Sequence, residues 1–198
     1  MANTSRVATK GVRALQTFHA FQNRSYRLLW SSNFFSYISR WMQVALLSWF
    51  VLERTNSPFL VALVGFFCWV PMLGLGAIGG VLADRLDRRR LLIATQLVNF
   101  LATLCMALLL SVGLALYWHA YLVILVTGTC GALDFASRRS IIPELLGRSR
   151  VPNGVALDSV GMHSSKMAGP ALAGALITLV NVAGGYLAVT TFYLLGAI

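Results

Sequence analysis

The sequence predicts an all-α membrane protein, on three observations. Hydrophobic residues make up 58% of its 198 positions and charged residues only 11%, against about 25% charged in a soluble domain. Long uncharged runs recur. No Asp, Glu, Lys or Arg occurs from Thr55 to Ala83 or from Leu91 to Leu133, and a run beyond about 18 residues is long enough to cross a bilayer as a helix. The basic residues cluster between those runs, as the positive-inside rule describes. Lipid admits only helices and closed barrels as spanning structures, and the runs lack the polar–apolar alternation of barrel strands.

The formal charge of +10 is therefore a topology signal. A nucleic-acid partner would require a soluble module to present those charges, and none is visible. Cys68, Cys105 and Cys130 all lie inside apolar runs, in a spacing that fits no zinc or redox pattern, so neither metal nor cofactor is expected.

Met1 to Gln22 is polar and basic, with Arg6, Lys10 and Arg13. The first apolar run starts too late and is too long for a cleavable signal peptide, so residues 1–25 are expected to form a cytoplasmic tail. Phe18, Phe21, Tyr26 and Trp30 interleave with Arg24 and Arg27, a pattern expected at lipid headgroups. Helix 1 is expected over about 26–52, interrupted by Arg40. Ser57-Pro58 reads as the N-cap and first-turn proline of helix 2, about 58–83. That helix carries Gly76-x-x-x-Gly80, two glycines on one face.

The 43 uncharged residues from Leu91 to Leu133 exceed a single crossing of about 20. They divide at Gly113 to His119, where Tyr117, Trp118, His119 and Tyr121 mark a membrane–water boundary. Helix 3 is expected over about 91–112 and helix 4 over about 120–137. Arg138 to Pro152 reads as a polar loop. Helix 5, about 153–180, holds Asp158, His163, Lys166 and the small-residue run Ala168 to Gly174. A turn from Asn181 to Gly185 leads to helix 6, about 186–198, which the chain leaves incomplete. The segment through Arg27 has five basic residues, and the loops after helices 2 and 4 have four each. The remaining loops have one, Arg54. That asymmetry places the N-terminus in the cytoplasm.

The turn Gly80-x-Leu82-Ala83-Asp84-Arg85-x-Asp87-Arg88-Arg89 resembles the signature that the major facilitator superfamily carries between helices 2 and 3, G-x-L-a-D-r-x-G-R-R. Asp87 stands where the family most often has Gly. Trp41-Met42-Gln43, Ser57-Pro58, Pro152-Asn153-x-x-Ala156-Leu157-x-Ser159 and Gly169-Pro170-Ala171-Leu172-Ala173-Gly174 are similar to the branch holding the enterobactin exporters and the transmembrane secretion effectors. The resemblance runs from about Asn23 to the end. The chain departs from that branch at Asp134-Phe135-Ala136-Ser137-Arg138, usually D-x-P-A-R. It departs again at Asp158, usually Asn, at His163 and Lys166, usually Asn and Arg, and at Arg40, usually small or polar.

The resemblance implies the N-terminal six-helix bundle of a twelve-helix major facilitator fold, truncated within helix 6. Its partner is a missing C-terminal six-helix half, and its place is the bacterial cytoplasmic (inner) membrane. It implies alternating access, the rocking of one bundle against the other about a midplane site. The conformational latch on the cytoplasmic turn comprises Gly80, Asp84, Arg85 and Arg88. Arg85, Arg88 and Arg138 are the candidate partners of Asp84, whereas Arg89 and Arg90 serve as orientation signals.

Arg40 lies thirteen residues after Arg27, and Lys166 thirteen after Asn153. That distance, about 20 Å of helix, puts both near the bilayer centre. A cation there costs about 2.5–3.5 kcal/mol and must face a cavity or a partner. His163 precedes Lys166 by three residues, on the same helical face. Arg40, His163 and Lys166 are thus candidates for a cationic substrate patch. In the competing reading, acids of the missing half neutralise Arg40 and Lys166, or the two side chains snorkel locally. Asp134, Asp158 and His163 are the proton-coupling candidates, although Asp134 can instead pair with Arg138 at i,i+4 and Asp158 can simply be solvated. Gly169, Pro170 and Gly174 read as either a gate or a packing break in helix 5, and the resemblance favours the gate.

The expected function is secondary active transport: proton-coupled export, as an antiporter, of a small amphipathic or anionic molecule resembling a drug or siderophore. The alternative is a non-transporting membrane scaffold or an inactive half-transporter. No P-loop, HExxH or GxSxG pattern occurs, so no enzyme is expected. The expected partners are a small-molecule substrate and the lipid bilayer.

Overall fold

The computed structural model describes residues 24–85, 88–147 and 151–196, without the side chains of residues 75–85, 88–89, 136, 139, 140 and 144. The expected tail lies almost wholly outside the described residues. Among those described, every element is helical: α1 Arg24–Thr55, α2 Pro58–Arg85, α3 Arg88–Ser111, α4 Tyr117–Leu146 and α5 Val151–Gly196. α5 is broken at Asn181 into two limbs, 151–180 and 182–196, so the described residues form six helical segments. α1 packs along α5, α2 packs along α4, and α3 touches both α4 and α5.

Local chemistry sets the connections. Asn56 takes a positive φ of 48° just after α1, and Pro58 opens α2 with the Ser57 carbonyl accepting from Val61 N–H at 3.2 Å. α3 closes on Gly113 at φ 77°. Gly113 N–H bonds the Leu110 carbonyl at 3.2 Å and Leu114 N–H bonds the Leu109 carbonyl at 3.0 Å, the paired closure that requires a left-handed residue. His119, expected at the water boundary, acts as a cap whose Nδ1 accepts from Leu116 N–H at 2.9 Å.

Three expectations are corrected. α4 does not end near Ser137 but continues to Leu146. Arg138 is buried, and Ile142 and Leu146 one and two turns on are buried beside Tyr26 and Leu157, so the supposed loop carries a helical stripe. Tyr26 and Trp30 do not face headgroups, because they donate to the α5 carbonyls of Gly154 at 2.8 Å and Leu157 at 3.0 Å. The turn expected over Asn181 to Gly185 contracts to one residue. Asn181 adopts φ 67°, and its side-chain oxygen accepts from Gly184 N–H at 3.1 Å, restarting the helix. Gly185 serves close packing, since a Cβ there would lie 2.9 Å from Leu46.

Asn181→Ala is expected to lose both the cap and a residue tolerant of positive φ. The cap alone contributes about 0.5–2 kcal/mol. Asn181→Gly is expected to retain more stability than Asn181→Ala. Thermal melts of the two purified variants check the order, and equal melting temperatures would refute it.

The bundle is apolar outside and carries a buried polar layer inside. Leu73, Met167 and Phe59 are 85%, 80% and 72% exposed, whereas Ser39, Gln43, Thr103, Ser137 and Ser165 are wholly buried. Water would not tolerate that much exposed apolar surface, but lipid favours it. Along α1 and α4 the polar residues form a layer between two apolar clusters. The larger is built on Met42, Leu46, Met106 and Tyr186, the smaller on Tyr26, Ile142, Leu146 and Leu157.

Candidate functional site

The part of the buried layer around Asp134 is a connected network, and Arg40 and Gln43 lie next to it with partners of their own. On α1, Asn33, Ser36, Arg40 and Gln43 recur every three or four residues and so share a face. At the centre, the Asp134 carboxylate of α4 accepts from the Thr95 hydroxyl and, at 3.0 Å, from the Gln96 amide, both on α3. The Arg138 guanidinium lies 3.8 Å from Asp134 and donates to Asn33 Oδ1 and, at 3.3 Å, to Ser36 Oγ. The Asn33 amide in turn donates to Asp158 Oδ1 at 2.8 Å, and the Tyr37 hydroxyl donates to Asp158 Oδ2 at 3.2 Å. The chain Asp134–Arg138–Asn33–Asp158 thereby ties α1, α3, α4 and α5 together. Each charge in it has an opposite charge or hydrogen bonds, the condition for keeping ions out of water.

Beside this network is a cavity of about 240 Å³, lined by side chains that include Arg40, Trp41, Trp69, Asn99 and Lys166. Two of the lining residues, Thr127 and Tyr193, are held by Gln43. It donates to Thr127 Oγ1 at 3.1 Å and accepts from the Tyr193 hydroxyl at 3.2 Å. The Arg40 guanidinium donates to the Cys68 carbonyl at 3.4 Å and occupies the space left by Gly131, where a Cβ would overlap it. The Lys166 ammonium sits 5.6 Å above the Trp41 ring, a cation–π contact. Among the described residues neither cation has a carboxylate partner; the ion pair there is Arg138–Asp134. The lining holds Arg40, Arg138 and Lys166 against Asp134, an excess of two positive charges.

The structure sorts the expected site residues. Arg40 and Lys166, near the middle of α1 and of the first limb of α5, share the cavity. His163 does not join them: it is exposed, and the cavity takes Met162 and Lys166 from that limb. Three residues rotate a helix by about 300°, so His163 falls about 60° round from Lys166 and beyond the cavity edge. Asp134 and Asp158 stand at the two ends of the network, so neither is simply solvated. Gly169 touches α1, where a Cβ would lie 2.6 Å from Trp41 Cβ. Pro170 and Gly174 are exposed, and the backbone stays helical through Pro170.

Gly80, Asp84 and Arg85 fall on the last turns of α2, and Arg88 opens α3; their side chains lie outside the described residues. Arg138, a candidate partner of Asp84, is 3% exposed and committed to Asp134. Sequence reasoning passed over Asn33, Tyr37, Thr95, Gln96 and Asn99. Their signal was the helical spacing of carboxamides and hydroxyls within otherwise apolar stretches.

An apolar exterior, a polar interior and helices such as Arg90–Ser111, Tyr117–Phe135 and Val151–Gly196, long and apolar enough to cross a bilayer, define an integral, multi-pass membrane protein. A family model described as transmembrane secretion effector matches residues 15–198, and the chain belongs to that family of the major facilitator superfamily, corresponding to the N-terminal half of its fold. It is 26% identical over 174 residues to the staphyloferrin A transporter of Staphylococcus aureus (strain NCTC 8325 / PS 47), covering 87% of this chain and 44% of that protein. It is 25% identical over 155 residues to the uncharacterized MFS-type transporter YfiS of Bacillus subtilis (strain 168), covering 78% of this chain and 36% of that one. The chain thus spans less than half the length of these relatives.

Proposed function

We propose that this bundle forms one half of a secondary active exporter, with the cavity beside Arg40 and Lys166 as its share of the substrate site. One observation carries the reading: two cations that have no carboxylate partner among the described residues are held at mid-length of α1 and α5, in a cavity walled by tryptophan. A scaffold has no use for cations placed there, because burying each in the membrane costs free energy. The relative named for transport of staphyloferrin A supports a small-molecule cargo, amphipathic or anionic. The second six-helix bundle closes the cavity, and alternating access follows from rocking of the two halves.

The basic segments face the cytoplasm of a bacterial cell, on the inner membrane, and the turn bearing Gly80, Asp84, Arg85 and Arg88 acts as the latch between halves. Proton coupling runs through Asp134 and Asp158, because both carboxylates lie in the network that links the cavity helices. In proteoliposomes holding the complete protein, Arg40→Met and Lys166→Met are each expected to reduce substrate uptake at least tenfold with the fold retained. Unchanged uptake in both would overturn the reading. For coupling, Asp158→Asn is expected to abolish pH-driven uptake while leaving counterflow, and His163→Gln to leave both. The opposite pattern moves coupling to His163.

A further inference from the structure

We propose that the cavity is selective for a small organic dianion that also carries a hydroxyl or N–H group. Arg40 and Lys166 each take one carboxylate, and Asn99 takes the hydroxyl or N–H. The inference rests on the reading of this cavity as the substrate site and narrows what that site accepts.

The charge sets the class. Arg138 is already engaged by Asp134, Asn33 and Ser36, which leaves Arg40 and Lys166 as the two cations open to a ligand. A ligand bearing two negative charges balances the lining, and a neutral one does not. Arg40 is also aimed. Gly131 leaves the guanidinium its space and the Cys68 carbonyl accepts one of its N–H groups, so the remaining fork is preset for the planar, two-oxygen geometry of a carboxylate. Lys166, a compact point charge steadied on Trp41, makes the less directional contact.

Asn99 supplies the third requirement. It is 3% exposed, it lines the cavity, and its Oδ1 has no hydrogen-bond partner. A buried acceptor left unmet is destabilising, and a ligand O–H or N–H would satisfy it. The walls contributed by Trp69, Met72 and Phe135 suit a carbon skeleton better than a bare inorganic ion.

Quenching of tryptophan fluorescence tests this in the purified complete protein in detergent, with malate, succinate, dimethyl succinate and inorganic phosphate as probes. Malate is expected to bind several-fold more tightly than succinate, which lacks the hydroxyl, and at least tenfold more tightly than the ester or phosphate. Asn99→Ala should erase the advantage of malate over succinate. Arg40→Lys keeps the charge and loses the fork, so it should weaken malate about tenfold. Gly131→Ala, whose methyl would take the place of the guanidinium, should match it. Equal binding of malate and its uncharged analogue, or malate affinity unmoved by Arg40→Lys and Gly131→Ala in variants that melt like the parent, would overturn the inference. Malate binding without counterflow in proteoliposomes would instead overturn the transport reading and leave the ligand class standing. Transport of another compound with no malate binding would do the reverse.

Discussion

Asp134→Ala is expected to destabilise the protein by about 3–5 kcal/mol, the range for removing one partner of a buried ion pair. The carboxylate is the ionic partner of Arg138, which is 3% exposed, and it is also the acceptor for Thr95 and Gln96. Its removal leaves one buried cation without its counter-ion and takes an acceptor from two donors, Thr95 keeping only the Leu92 carbonyl and Gln96 only Ser36 Oγ. Asp134→Asn keeps an acceptor and should cost less. The double variant Asp134→Ala, Arg138→Met should recover part of the loss, because groups in one network are not additive. Detergent-unfolding curves of the three variants give the order. A single Asp134→Ala within 1 kcal/mol of the parent would show that the network is not holding α3 to α4.

The second large effect is expected at Gly169. A Cβ there would stand 2.6 Å from Trp41 Cβ and 3.0 Å from the backbone nitrogen of Met42. Neither atom is the free end of a flexible side chain, so α1 and α5 must separate. Gly169→Ala is expected to cost about 1–3 kcal/mol, the usual penalty of overpacking, and Gly169→Val more. Separation also draws Trp41 away from Lys166, so both variants should lose substrate binding together with stability. Gly131 provides the contrast, because the atoms it would displace belong to the mobile end of Arg40. Substitution there should spare the melting temperature and impair recognition. If Gly169→Val melted like the parent, the α1–α5 contact would have to be looser than its geometry implies.

Much of the fold was legible in the sequence because lipid makes charge a sharp marker. The uncharged stretches placed the helices, and Gly113 and Pro58 marked real boundaries through the left-handed closure of α3 and the first turn of α2. The errors arose where a charged or small residue had a buried partner. Arg138 read as a loop residue because it opens a segment with four arginines, and clustered arginines are normally solvated; nothing local reveals that Asn33, over a hundred positions earlier, meets it. Gly184 and Gly185 read as a turn, yet Gly185 is small because Leu46 presses on it. At the site, depth along the helix was enough to find Arg40 and Lys166, because helical rise is uniform. Which neighbour sits a few tens of degrees around the axis is fixed by packing, and on that count Asn99 belongs to the cavity and His163 does not.

The polar stripe on α1 has a consequence for biosynthesis. Asn33, Ser36, Arg40 and Gln43 are satisfied by groups on α2, α3, α4 and α5, and the partners of Asn33 lie 105 and 125 residues further along the chain. α1 therefore leaves the ribosome long before the helices that neutralise it exist. It is also not among the helices that length and composition mark as apolar enough to cross a membrane, and an arginine at its middle adds about 2.5–3.5 kcal/mol against entry. The first of the described helices must wait at the translocon, or among its lipids, until the last of them arrive. Nascent chains arrested before α5 should accordingly leave α1 extractable by alkaline carbonate, and chains arrested after it should not.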